Sequence, residues 1–298
     1  MIKETTETAK DCFATRAVFQ MANALKYTSL VFIVVQTTAM VLLLRYSRTQ
    51  AVQGPRYLSS TAVVCAEFLK ILSCIAVLLW ENGFSVPALV LQLRNEVWRQ
   101  PKETCKMLVP AGLYTVQNNL LFFALSLLDA ATYQMPTEEE ALGTTAKQGS
   151  YQFLGLIAVL ISCLSSGFSG IYLEKLLKEI TWSLWIRNIQ LAIFGCLLGI
   201  VAMLMSDWNQ LWVGGFFQGY NVITWIVILL QTFGGLVVSL AVRYADSILK
   251  GFATSISIVL STFCSYYLLG DLLPTRNFFF GAGIVITATS LYGVPLFK

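Results

Sequence analysis

No histidine occurs in the 298 residues. The commonest general base and the commonest neutral metal ligand are therefore missing. Charge is scarce too: Asp, Glu, Lys and Arg make up 12% of the chain, half of the roughly 25% usual in soluble domains. Seven cysteines are present, Cys12, Cys65, Cys74, Cys105, Cys163, Cys196 and Cys264. None forms a Cys-x-x-Cys pair and most lie in apolar runs, which points to small buried hydrophobes rather than a disulfide frame or a zinc site. No phosphate loop, metal-ligand cluster or nucleophile–base arrangement stands out, so neither an enzyme nor a cofactor is expected. Residues 1–24 are mixed in charge and lack the apolar stretch of a cleaved signal; they read as a tail in water.

What the chain has instead is apolar length. It is 56% hydrophobic with a mean hydropathy of +0.69, and the fold class expected is all-α, a polytopic helical membrane protein. Eight spans are predicted: Leu25–Leu44, Leu58–Trp80, Met107–Leu127, Phe153–Leu173, Leu184–Met205, Thr224–Val242, Phe252–Leu269 and Phe278–Leu291. Their runs suit the crossing of ~30 Å of hydrocarbon. The segment Val86–Val97 is amphipathic and charged, and reads as an interfacial helix. Lys and Arg gather on one side of these spans: Lys3, Lys10, Arg16 and Lys26, then Arg94, Arg99, Lys102 and Lys106, then Lys175, Lys178 and Arg187, then Arg243, Lys250 and Lys298. The other side holds Arg45, Arg48, Arg56, Lys147 and Arg276. That bias places both termini in the cytosol. The chain divides into a cytosolic tail (1–24), a first half (25–134), a polar junction loop (135–152) and a second half (153–298).

Two exits look alike, "FALSLLDAATYQ" after the third span and "LAVRYADSILKG" after the sixth, as in transporters built from inverted repeats. Together with "LKYTSLVFIVVQTTAMVLLLRYSRT", "GPRYLSSTAVV", "YTVQNNLLFFALSLLDAATYQ", "SSGFSGIYLEKLLK", "WIRNIQL", "GFFQGY" and "RYADSILKGFATSISIVLST", the chain closely resembles the Golgi nucleotide-sugar transporters of the drug/metabolite transporter superfamily, from Ala24 to Gly293. The resemblance implies a ten-helix, five-plus-five fold. It implies exchange of a cytosolic nucleotide sugar for a luminal nucleoside monophosphate by alternating access, in a multi-pass Golgi membrane protein. "GPRYLSSTAVV" favours UDP-N-acetylglucosamine carriers, with UDP-galactose and CMP-sialic acid carriers as neighbours. In the family "DAATYQ" continues into the rest of a fourth helix and a fifth, with a lysine in "TYQLK" that contacts nucleotide. Here Gln134 is followed by "MPTEEEALGTTAKQGSYQ". The polar stretch resembles a junction left by removing two membrane helices, an even number that preserves the direction of every later span. Two activities follow. One is nucleotide-sugar/monophosphate antiport, impaired in this shortened form. The other is a non-transporting form that is retained, degraded, or pairs with full-length carriers or glycosyltransferases; the protein partners expected are a second copy, related transporters or glycosyltransferases. No nucleic acid is expected as a partner; the lipid bilayer is.

A diphosphate and a base buried in a membrane need cations, donors and a stacking surface. Lys250 beside Gly251 offers an ammonium and the start of a helix; its other reading is a snorkelling lysine that sets orientation. "YTVQNN" places Tyr114, Gln117, Asn118 and Asn119 in mid-span, suited to base or ribose, or to interhelical amide bonding. Tyr172 and Asn188 are similar candidates. Thr254 and Ser255, followed by Ser257 and Ser261, give a hydroxyl face. Gly234 and Gly235 could admit either a ligand or a neighbouring helix. Glu67 and Lys70, three apart in the second span, read either as a structural ion pair or as a gate.

Overall fold

The structure is a computed structural model that describes residues 25–43, 46, 57–117, 120, 141–179, 183–268 and 276–293. All regular structure among them is helical. In chain order the helices are α1 (Leu25–Leu43), α2 (Ser59–Glu81), α3 (Val86–Leu93) running into a π turn at Arg94–Trp98, α4 (Pro101–Lys106), α5 (108–117), α6 (Ala141–Lys178), α7 (Leu184–Ser206), α8 (Trp208–Gly214), α9 (Val222–Tyr244), α10 (Ser247–Leu268) and α11 (Arg276–Gly293). Six are long and apolar enough to cross a membrane: α1, α2, Phe153–Lys178 within α6, α7, α9 and Ser247–Tyr267 within α10. Phe278–Tyr292 of α11 is a shorter apolar helix. Of the expected span Met107–Leu127, only 107–117 and residue 120 are described. In the six long helices only 17–39% of the apolar window is buried in the protein. In water that much bare apolar surface would be untenable; hydrocarbon is the solvent that covers it. This is a helical polytopic membrane protein.

Helix starts have local causes. Asn221 caps α9 reciprocally with Thr224: its Oδ1 accepts from the Thr224 N–H at 2.8 Å, and the Thr224 hydroxyl accepts from the Asn221 N–H at 3.4 Å. Asp246 Oδ1 accepts from the Leu249 N–H at 2.7 Å and so opens α10 only two residues after α9 ends. Between α2 and α3 the chain reverses through Gly83 and Phe84, both at φ 61, a region that favours glycine. Asn82 secures the reversal by donating to Leu78 O (2.8 Å) and Gln92 Oε1 (2.9 Å).

The described residues form two compact units, one within residues 1–70 and 209–298 and one within residues 71–208. In the first, small residues and hydroxyls bring helices together. Ile33 of α1 is buried with Ala241 of α9 and Ala253 of α10. Ala62 and Ala66 of α2 are buried with Ile228 of α9. The Thr232 hydroxyl lies within bonding distance of Ala66 O (3.1 Å) and Ile228 O (2.8 Å), and Thr38 donates to Ser257 O at 3.3 Å. Rings close the α10–α11 pair at both ends, Phe252 on Tyr292 and Phe263 on Phe278, with centroids 5.5 and 5.7 Å apart. In the second unit Ser169 and Ser162 of α6 donate to Pro110 O (3.4 Å) and Gln117 O (3.3 Å) of α5.

Three readings change. The loop expected through residue 152 is helical from Ala141, inside the 38-residue α6. At 1.5 Å per residue α6 is about 57 Å long, well beyond a bilayer's hydrocarbon, so its polar start extends past the span Phe153–Lys178. Of the six described cysteines only Cys74 is buried; Cys105 and Cys163 are exposed, and none of the six is in a disulfide. Lipid explains an exposed thiol in a span as readily as a core does a buried one. Arg187, counted as a loop charge, lies in the first turn of α7 at 1% side-chain exposure. Residues 1–24, Cys12 and residues 135–140 lie outside the described residues.

Candidate functional site

Within the first unit the two adjacent glycines of α9 each receive a polar side chain. Gln36, from mid-α1, lies over Gly234 and donates to Leu230 O at 3.2 Å. Lys70 of α2 lies over Gly235, its Cε 2.8 Å from where a Cβ would stand. The Lys70 ammonium pairs with Glu67 at 2.7 Å, with side chains 10% and 16% exposed. The pair neutralises charge that alone would cost roughly 2.5–3.5 kcal/mol at mid-bilayer. Glycine at both positions lets these two side chains lie close against helix α9. Gly234→Ala would drive a methyl into the Gln36 amide. Expelling that amide should lower stability by about 1–3 kcal/mol, read as the thermal unfolding midpoint in detergent. Adding Gln36→Ala should restore most of the loss.

On α10 the helix begins at Ser247, not at Lys250. Asp246 takes up the Leu249 N–H, so Lys250 and Gly251 sit one turn inside the helix rather than at its open N-terminus. The Thr254 hydroxyl donates to Lys250 O (3.0 Å) and that of Ser255 to Gly251 O (3.0 Å). Each hydroxyl oxygen keeps acceptor capacity, but its proton is used on the helix itself. Gly251 is exposed and faces open space. Ser257 and Ser261 are buried and bonded to Thr254 O and Ile258 O.

In the second unit Tyr114 and Gln117 stand one turn apart on α5. Gln117 Oε1 is buried without a hydrogen-bond partner among the described residues. A buried carbonyl oxygen left so is a place for a donor to arrive. Asn118 and Asn119 lie outside the described residues. Tyr172 stacks on Phe168 at 6.1 Å. Asn188 is buried and donates to Leu184 O at 2.9 Å. One N–H of its amide is used on its own helix.

Sequence reasoning missed a polar lock at the start of α7. Arg187 pairs with Glu179 (2.8 Å) and Glu103 (3.5 Å) and donates to Gln190 Oε1 (3.2 Å). Gln190 Nε2 reaches Glu96 O in the π turn (3.2 Å) and Thr104 Oγ1 (3.1 Å). The Lys106 ammonium, bonded at 2.6 Å, holds the Glu103 carboxyl below its ordinary range, with a further contribution from Arg187, and Glu103 raises Lys106 in return. A lowered carboxyl contributes stability above its unfolded-state value that is lost as pH falls through the folded one. The lock therefore weakens in acid and persists at neutral pH. Glu103→Gln with Glu179→Gln leaves Arg187 buried without a counter-charge and should cost about 3 kcal/mol. Arg187→Met leaves half-exposed carboxylates and the buried Gln190 Oε1 without its donor, but no buried charge, and should cost less. The order of the two unfolding midpoints checks this.

Other sites are less suited to a nucleotide. A groove of about 570 Å³ on α11 is lined by Phe279, Phe280, Gly283, Ile284, Thr287, Ala288 and Leu291, without a charge to meet a phosphate. No group of metal-binding side chains occurs among the described residues. In the turn before α9, Tyr220 donates to Thr61 Oγ1 at 3.1 Å, and burial pushes its phenol up.

The family model for nucleotide-sugar transporters matches residues 21–147 and 136–293. The UDP-N-acetylglucosamine transporter of Rattus norvegicus is 47% identical over 314 residues, covering 92% of this chain and 96% of that one. The UDP-N-acetylglucosamine/UDP-N-acetylgalactosamine transporter of Caenorhabditis elegans is 46% identical over 91% and 94%. The UDP-galactose translocator of Bos taurus is 41% identical over 91% and 78%. With its membrane-crossing helices and a match across nearly all of its length, the chain belongs to the nucleotide-sugar transporter family.

Proposed function

We propose that this chain exchanges UDP-N-acetylglucosamine for UMP across the Golgi membrane by alternating access, with both termini cytosolic and residues 25–134 and 153–298 as the two halves of the carrier. The observation that carries this reading is 47% identity over 96% of a relative named for UDP-N-acetylglucosamine. The open acceptor Gln117 Oε1 supports it, because a uracil ring offers an N–H donor flanked by two carbonyls and a carboxamide can meet both. Lys250 supplies phosphate charge, and the Glu67–Lys70 pair gates by exchanging its partner when phosphate enters. Tyr114, Tyr172, Thr254 and Ser255 complete the cargo contacts. In vesicles loaded with UMP, radiolabelled UDP-N-acetylglucosamine uptake should exceed that in unloaded vesicles and outpace UDP-galactose. Equal uptake with and without UMP would exclude exchange.

A second reading has its own observation. The 314 aligned positions outnumber the residues that 92% of this 298-residue chain supplies by about 40, the length of two crossings at about 20 residues each. The family match restarts at residue 136, inside the polar stretch after Gln134. A chain short of two helices is a non-transporting form that binds full-length carriers or glycosyltransferases. It would bring no uptake of its own while changing uptake by a co-reconstituted full-length relative.

A further inference from the structure

The segment from Val86 to Trp98 turns an apolar face outward. Val86, Val90, Arg94 and Trp98 recur every four residues and are exposed, with Leu91 beside them, so they form one stripe along the helix. Trp98 is 81% exposed. The opposite side is fixed within the same unit: Leu89 is buried, Gln92 accepts from Asn82, and the π-turn carbonyls of Glu96 and Val97 accept from Gln190 and Thr104. The stripe therefore cannot roll inward. Its length is too short to cross a bilayer, and an apolar face with a tryptophan at its end lies in the headgroup zone.

Positive charge edges this face. Arg94, Arg99 and Lys102 are exposed and carry no ion pair to a described residue. The acidic neighbours are occupied or turned away: Glu103 pairs with Lys106 and Arg187, and Glu96 is half-buried on the pinned side. The π turn closes through the Arg99 N–H to Arg94 O at 2.9 Å, which holds the two arginines at adjoining ends of one wide turn. The geometry points to an anionic phospholipid headgroup as the ligand of this surface: acyl chains take the Val–Leu–Trp stripe and the basic trio takes the phosphate and its negative neighbours.

The test uses the full chain in bilayer nanodiscs of phosphatidylcholine with an equal fraction of brominated phosphatidylserine or brominated phosphatidylcholine. The Trp98 signal is the difference between the unaltered chain and Trp98→Phe. Brominated phosphatidylserine should quench it more strongly than brominated phosphatidylcholine, with a preference that drops about fivefold for each basic residue removed. Arg94→Gln, Arg99→Gln and Lys102→Gln together should abolish the preference while quenching by brominated phosphatidylcholine and the unfolding midpoint stay unchanged. Quenching by neither lipid would overturn the placement of the stripe. Equal quenching by both, or a preference that survives in the triple variant, would overturn the headgroup recognition.

Discussion

Inserting the relatives' additional segment of about 40 residues between Gln134 and Met135 should raise UDP-N-acetylglucosamine exchange at least about tenfold over the chain as it stands, the effect of roughly 1.4 kcal/mol or more on the working state. The physical reason is partners. Helices in a bilayer gain little from apolar association and depend on close packing and polar bonds to one another. Gln117 Oε1 is buried with nothing to bond among the described residues, and such an orphan costs about 1–3 kcal/mol by itself. A crossing helix beside α5 would pack against it and help enclose that acceptor for the uracil, and the family's "TYQLK" lysine would return with it. Because two crossings are restored, every later helix keeps its direction and both forms insert alike. Counterflow in vesicles of matched protein content checks the prediction. Equal exchange by the two forms would mean that the missing positions are not part of the working carrier.

In the restored form Lys250→Ala should reduce exchange to the level of empty vesicles, a loss of about 100-fold. That corresponds to nearly 3 kcal/mol, the upper range for a charged hydrogen bond. Lys250 is half-exposed, one turn into α10; Asp246, at the helix start, takes up the local N–H donor. A phosphate bound there would rest on the ammonium more than on the helix terminus, so the charge itself should be what matters. Lys250→Arg should therefore retain part of the exchange, whereas Lys250→Met, close in length and shape, should fail like alanine. Exchange retained by methionine but lost with alanine would assign the residue to packing.

How much of this was legible follows from the range over which residues act. The membrane spans are contiguous apolar runs, and six of them stand as helices of the expected kind. The Glu67–Lys70 bond is also local, three positions on one helix, and it forms at 2.7 Å. Gln36 over Gly234 is different. Its partners are 198 positions apart, and nothing local in "QTT" or "FGG" announces that one fills the space left by the other. An amide in mid-span was the available signal, the same one that singled out "QNN". Arg187 was misread for a similar reason. Composition counts a charge near a span end as a solvated one, and burial beneath Glu103, Glu179 and Gln190 depends on α4 folding back onto α7. The early start of α6 reflects "ALGTTAKQ", polar enough to read as a loop yet free of proline.

Nucleotide binding tests the central claim most directly, because it needs no transport. Purified full chain is heated with saturating UMP, and with an equal concentration of inorganic phosphate as control. At 100 times Kd a ligand adds about 2.7 kcal/mol to stability, so UMP should raise the unfolding midpoint by several degrees. Phosphate should not, and Gln117→Ala should remove the shift. If UMP leaves the midpoint where phosphate leaves it, in this chain and in the restored form alike, no uridine nucleotide site exists in these helices and the account is wrong.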